Sequence, residues 1–194
     1  LATAAVAFMT LGCADAQAQL DVRLEHDSEG ERATREQLLR LVEEHDVSAW
    51  IYTTSIVIDE TQIPHSHPVL TLHTRHLGDD DMLTSTFIHE QFHWLENGED
   101  RERSEAFRAA MADFAELYPD APGGPGTRGA RDVESTYRHL VVCDMEFQGM
   151  TLLIGEARAQ ELLARITHYE WIYERVLTDP RVREINTRHG MLVR

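Results

Sequence analysis

Residues 85–96 read STFIHEQFHWLE, and the reading of this stretch decides the fold. At about 100° per residue, His89 and His93 fall about 40° apart on one stripe of a helix. Ile88, Phe92 and Leu95 fill one flank of that stripe, and Leu83, Phe87 and Trp94 fill the other. Apolar side chains on both flanks predict a helix buried on either side of its histidines. Glu90, about 100° round from His89, then projects beside them.

Upstream, Asp79, Asp80 and Asp81 supply negative charge and caps for the start of this helix. Before them lie two runs rich in β-branched and aromatic residues, AWIYTTSIVI at 49–58 and VLTLHT at 69–74, broken by Gln62-Ile63-Pro64. They predict two strands, paired antiparallel. Ser28-Glu29-Gly30-Glu31 resembles a capping box, and Leu38, Leu39, Leu41 and Val42 carry a helix from there to about His45. Downstream, Asn97-Gly98 stops the motif helix. A second helix is expected from about Asp100 to Tyr118, and PDAPGGPGTRGA at 119–130 is a loop. Helical patterns resume at 133–154, from Glu156 to about Ile166, and through the HYEWIYERVL stretch. No internal repeat is present. The fold class expected is α+β, mainly helical, with a small antiparallel sheet preceding the motif helix and a further helix downstream.

The chain has 194 residues, 42% hydrophobic and 27% charged, which is enough for one core and predicts a single domain over 19–194. Its 18 basic residues are scattered among 34 acidic ones, a net charge of −16. Nucleic acids and anionic membranes are therefore excluded as partners, because phosphate binding needs clustered cations. The acidic balance implies instead a mild steering of basic peptides. No apolar run beyond the leader is long enough to span a bilayer as a helix.

The leader is LATAAVAFMTLGCADAQAQ, an apolar stretch through Leu11 followed by small residues that fit A-x-A cleavage at Ala14-Asp15-Ala16 or Ala16-Gln17-Ala18. Residues 1–18 are accordingly expected to be a signal peptide, and the protein to be exported to a periplasmic or extracellular space. Thr10-Leu11-Gly12-Cys13 also partly resembles a lipoprotein box, which makes lipid anchoring at Cys13 the alternative. With the leader removed, Cys143 is the one cysteine left, so no intramolecular disulfide framework is expected.

Two neutral imidazoles one helical turn apart can ligate a single Zn²⁺, and a glutamate between them can reach a water at the metal without being a ligand. His89-Glu90-Gln91-Phe92-His93 has this H-E-x-x-H pattern. With a strand just upstream, the chain resembles the zincin metallopeptidases, whose strand-then-helix core carries the same motif. The resemblance covers the motif and the local order of elements. It implies zinc held by His89 and His93, Glu90 as general base, and hydrolysis of a peptide or protein substrate.

A catalytic zinc needs a third protein ligand and one open position. Glu96, Asn97, Gly98 and Glu99 follow His93, so the third histidine of the metzincins is missing. The gluzincins place a glutamate on a later helix, and here the 133–154 helix offers Glu146, which shares its arc with Val142, Cys143, Met150 and Leu153. An unpaired carboxylate on that apolar face would cost several kcal/mol, so Glu146 requires a metal or a histidine as partner. His139 lies on the same arc two turns earlier, roughly 10 Å along the axis. Two arrangements follow. In the preferred one Glu146 binds zinc and His139 donates to the developing oxyanion; in the alternative His139 binds zinc and Glu146 orients a ligand histidine from behind.

Tyr137 is a further oxyanion candidate, beside Ser135 and Thr136, which read as an N-terminal cap. The histidines at 65, 67, 73 and 76 read as a solvated turn, given Pro64 and Pro68. Cys143 and the aromatic set Tyr169, Trp171 and Tyr173 read as core. The function expected is that of an exported, zinc-dependent metallopeptidase. The alternatives are an inactive, metal-stabilised binding or structural protein, and a hydrolase of non-peptide amides or esters.

Overall fold

The computed structural model describes residues 20–194; the expected signal peptide and Cys13 lie outside the described residues. Three short strands, β1 (Asp21–Leu24), β2 (Ser55–Ile58) and β3 (Leu70–Leu72), form one sheet in the order β1-β2-β3. Between β1 and β2 runs helix α1 (Glu29–Glu44). After β3 come α2 (Asp80–Phe92), α3 (Arg101–Leu117), α4 (Val133–Ile154), α5 (Glu156–Leu163), α6 (Glu170–Thr178) and α7 (Pro180–Arg188). The chain is mixed α/β and mainly helical, and no described helix is long and apolar enough to cross a membrane.

The sheet corrects the expected antiparallel pairing. Both strand pairs are parallel, Ile56 facing Val22 on one side and Leu70 on the other. The link from β2 to β3 is long enough for the chain to run back before it pairs, so it does not close a hairpin. The antiparallel partner of β3 is that returning link, through a single bridge at which His65 and Thr71 exchange backbone hydrogen bonds of 2.8 and 3.1 Å. The strand expected from residue 49 is also shorter. Ser48–Trp50 form a 3₁₀ turn, and the Gln91 side chain takes the backbone of the next stretch, accepting from Tyr52 and Thr53 N–H at 2.9 and 3.0 Å and donating to the Thr53 carbonyl at 2.9 Å. A stretch whose backbone is bonded to a helix side chain has no ladder to join.

The starts of α1 to α5 follow their sequence signals, but α2, expected to run to Asn97-Gly98, gives way at His93–Leu95 to a 3₁₀ turn, α5 stops at Leu163 short of Ile166, and the C-terminal stretch divides into α6 and α7. Asp79, Asp100 and Asp132 accept the N–H three residues on and so cap α2, α3 and α4. Ser28 caps α1 in the same way. The Glu31 carboxylate does not reach back to complete the box; it accepts the N–H groups of His26 and Glu60, tying α1 to the ends of β1 and β2.

α2 and α4 form the centre, and α4 also packs on α3, α5 and α6. They run antiparallel, since Glu146 meets Ser85 at one end while Arg138 meets Glu96 at the other. Phe87, Ile88, Phe92, Leu140, Val141 and Met145 are buried between and around them. At their crossing stands Gly149, where an added Cβ would lie 2.9 Å from Ile88 Cδ1 and 3.4 Å from the Trp50 ring. The close approach of the two helices depends on that missing side chain.

Candidate metal centre

α2 carries His89 in its last turn and ends so that His93 opens a 3₁₀ turn, which keeps both imidazoles on one side. Their Nε2 atoms stand 3.3 Å apart. Two nitrogens each about 2.0–2.1 Å from one tetrahedral ion are separated by about 3.3–3.4 Å, so the pair already has the spacing of two ligands. From α4, His139 closes the group: its ring centroid is 4.9 Å from that of His93 and 5.6 Å from that of His89. One ring nitrogen from each of the three lies within 4.8 Å of the others, and all three side chains are buried.

Hydrogen bonds behind the rings select which nitrogen is free. His139 Nδ1–H donates to the Ser135 carbonyl at 2.6 Å, and His89 Nδ1–H to Glu146 Oε2 at 2.8 Å, so that in the neutral rings both Nε2 atoms are left without a proton. Acceptor nitrogens turned toward one another could hold a cation or share a proton. Three imidazoles with this tautomer fit a zinc-like ion.

The carboxylate of Glu146 stands behind His89, on the side away from Nε2. It also accepts from Tyr173 OH at 2.8 Å and from the Ser85 hydroxyl. The structure thus brings His139, and not Glu146, to the point where His89 and His93 converge, the reverse of the preferred order drawn from the sequence. A second potential group, His89, Cys143 and Glu146, lies on this back side. Its carboxylate is already shared by three donors, and burial pushes the Cys143 thiol up, away from the thiolate a metal needs.

The electrostatics separate the three imidazoles. Burial opposes a proton on His89, but Glu146 and Cys143 outweigh it and hold the group well above its usual range. Burial, and then the neighbouring charge on His89, drive His93 well below that range and His139 down to about 3. Both therefore stay neutral, as ligands must. Glu90 lies beside them, 8% exposed, with no side-chain hydrogen bond among the described residues. Burial pushes its carboxyl up to about 7, against the opposing pull of His89 and His65.

These groups open onto a cleft of about 740 Å³ whose lining includes Glu90 and seven of the chain's 11 histidines. His65, His67 and His76, read from sequence as a solvated turn, are part of this wall. His67 stacks on Trp94 at 4.3 Å, and none of the three joins a metal-holding group among the described residues. His73 instead caps the 3₁₀ turn Thr74–His76. A smaller cavity of about 370 Å³ lies against Trp50, Phe92 and Arg194, with no histidine, cysteine or carboxylate in its lining.

Tyr137 is not brought to the site: its hydroxyl donates to the Tyr118 carbonyl at 2.9 Å, at the end of α3. Tyr169, read from sequence as core, lines the cleft instead. Its ring lies 4.2 Å from that of His139 and nearly parallel to His89, 6.4 Å away. Its backbone is left-handed, φ 59 and ψ 31, which a non-glycine residue adopts at a cost of about 1 kcal/mol or more. Sequence reasoning also missed Ser85 and Tyr173. Ser85 had a signal, since Ser85, His89 and His93 recur every fourth residue; Tyr173 had none.

A third group, His26, Glu31 and Asp59, gathers at the ends of β1 and β2. Glu31 is engaged there by backbone N–H groups and by His26 at 3.0 Å, and Asp59 by Thr61 at 2.7 and 2.8 Å, the pattern of a pinned turn. No family model matches the chain, and no curated protein or solved structure matches it.

Proposed function

We propose that the protein is a zincin-like, zinc-dependent hydrolase that cleaves peptide bonds, with His89, His93 and His139 holding the ion and Glu90 as general base. The observation that carries this reading is Glu90: a buried carboxyl that serves no structural hydrogen bond, raised to about 7, beside three convergent imidazoles at the floor of an open cleft. A zinc ion bound there supplies Lewis-acid polarisation of the scissile carbonyl and a more acidic water. Glu90 takes the proton of the attacking water and delivers it to the leaving amine. A pKa near the working pH suits both halves of that transfer. Glu146 keeps the His89 tautomer, and Ser85 and Tyr173 keep Glu146 in place. Tyr169, whose ring lines the cleft beside His139, would supply the hydroxyl that meets the developing oxyanion.

A purely structural metal site would have no use for a general base and would close with a fourth protein ligand. Here the three histidines and Glu90 all line the cleft, which favours the hydrolase over the inert reading. The test is metal content and peptide-library hydrolysis of wild type and Glu90→Gln. The expected result is about one zinc per chain in both and hydrolysis in the wild type alone. Undiminished hydrolysis by Glu90→Gln, or a wild type that retains no metal, defeats the proposal.

A further inference from the structure

The cleft differs in charge from the chain around it. Three arginines, Arg75, Arg131 and Arg138, line it together with three glutamates, Glu90, Glu96 and Glu146. Glu96 is neutralised by Arg138 through two hydrogen bonds of 2.5 and 3.0 Å, and Glu146 is tied to His89. Arg131 meets only its exposed neighbour Asp132, at 3.2 Å, and exposed pairs of this kind are weak. Arg75 has no ion pair and no side-chain hydrogen bond among the described residues. Glu90 alone remains as an unmatched anion, and its place is beside the three histidines. A divalent ion would add further positive charge. The three arginines balance the three glutamates of the lining, so with a divalent ion bound the substrate cleft would be locally cationic in a chain of net charge −16. Over the few ångströms of a bound ligand the lining decides, since charges farther than about 8 Å are screened at physiological salt.

The positions of Arg75 and Arg131 carry further information. Arg75 belongs to the 3₁₀ turn Thr74–His76, which packs on α2, and shares the cleft wall with Met82 in the first turn of that helix. From Met82 to His89 is about 10 Å along the axis, or about three residues of extended peptide. Arg131 precedes the cap of α4, which lies toward the opposite end of α2 because the two helices are antiparallel. A ligand laid along α2 across the three histidines therefore has a guanidinium at each end.

We infer that the cleft selects anionic substrates, with Arg75 binding a carboxylate two to three residues from the bond that is cut. This rests on the hydrolase reading above and adds its substrate class. It reverses the expectation, drawn from net charge, that basic peptides are favoured. The carboxylate has two sources, an acidic side chain or a peptide C-terminus, and matched probes separate them.

The experiment measures binding by fluorescence anisotropy to zinc-loaded Glu90→Gln protein, which holds the peptide without cutting it. Probes are labelled hexapeptide pools differing only in Glu, Gln or Lys at the outer positions, each with a free or an amidated C-terminus. The Glu pool should bind about two- to fivefold more tightly than the Gln pool, the size of one exposed ion pair. Adding Arg75→Gln should erase that difference and Arg75→Glu should turn it toward Lys, with thermal melts confirming the fold of each. If amidation alone removes the advantage, the carboxylate read is the C-terminal one. Equal affinity across the pools, a preference for Lys, or no binding to any pool overturns the inference. Charge-ranked binding without wild-type cleavage defeats the hydrolase reading and leaves this one standing; cleavage indifferent to charge defeats this one alone.

Discussion

His89 and Glu146 are held 2.8 Å apart, Nδ1 to Oε2, in the buried seam between α2 and α4. The imidazole is thereby turned to present Nε2 toward His93 and His139, and the carboxylate to support a ligand without being one. Loss of His89, His93 or His139 as alanine should abolish zinc binding, whereas Glu146→Gln should weaken it by about 10- to 100-fold. Competition with a chromogenic chelator measures both effects. Complete loss of zinc in Glu146→Gln, with retention in His139→Ala, would reverse the roles given to these two residues.

Tyr169 and Tyr137 provide a paired control. Tyr169→Phe should lower kcat by about 10²- to 10³-fold with KM little changed, as expected on losing one oxyanion donor. Tyr137→Phe should leave turnover intact but cost about 1 kcal/mol of stability, because the Tyr118 carbonyl loses its donor. An unaltered kcat for Tyr169→Phe removes that hydroxyl from the chemistry.

The metal-free protein should lose stability as pH falls from about 7 to 5. Folded His93 and His139 have pKa values below the ordinary 6.5, so in this window the unfolded chain binds more protons, and stability falls with pH. Glu90 acts in the opposite direction. Its folded pKa of about 7 exceeds the ordinary carboxyl value, so the folded state takes up that proton first. His89, whose pKa is raised, contributes stability that is complete below 6.5 and lost as pH rises through its folded value. Melting temperatures in chelator should therefore drop on acidification, and drop more steeply in Glu90→Gln; a shallower slope in that variant contradicts the assignment.

Gly149→Ala tests the helix crossing. The added methyl meets Ile88 one residue before the first ligand histidine, and overpacking of this kind costs about 1–3 kcal/mol. Stability and zinc affinity should fall together, measured by denaturant unfolding and chelator competition. A variant with wild-type stability would show that the two helices can part without harm.

Legibility of this molecule in its sequence varied with the kind of information each element carries. α4 could be bounded from residues alone, because Asp132 and Gly155 sit at its ends and its apolar pattern is unbroken between them. The stripe of His89 and His93 was legible because the 3₁₀ turn that His93 opens continues α2 without a break, so that helical spacing still fixes direction. The parallel sheet was not, since strand direction depends on where the link through His65 turns, and no local pattern records that. His139 and Glu146 could not be ordered as ligands because they are seven residues apart, two turns of one helix. They share an arc, and only the axial offset of α4 against α2 chooses between them. The need of Glu146 for a partner was readable from its apolar surroundings; that the partners would be His89, Ser85 and Tyr173 was not.

The three histidines come from two places in the chain, His89 on α2 with His93 in the 3₁₀ turn that follows it, and His139 on α4, with α3 and the segment 119–130 between them. An ion shared by them would act as a reversible cross-link, closing a loop whose entropy the unfolded chain would otherwise regain. The backbone at Gly126 lies within that loop, on its exposed turn. A chain nicked there would be two polypeptides joined by one coordination centre as well as by packing, and a chelator would then act as a pair of scissors on the second of those ties.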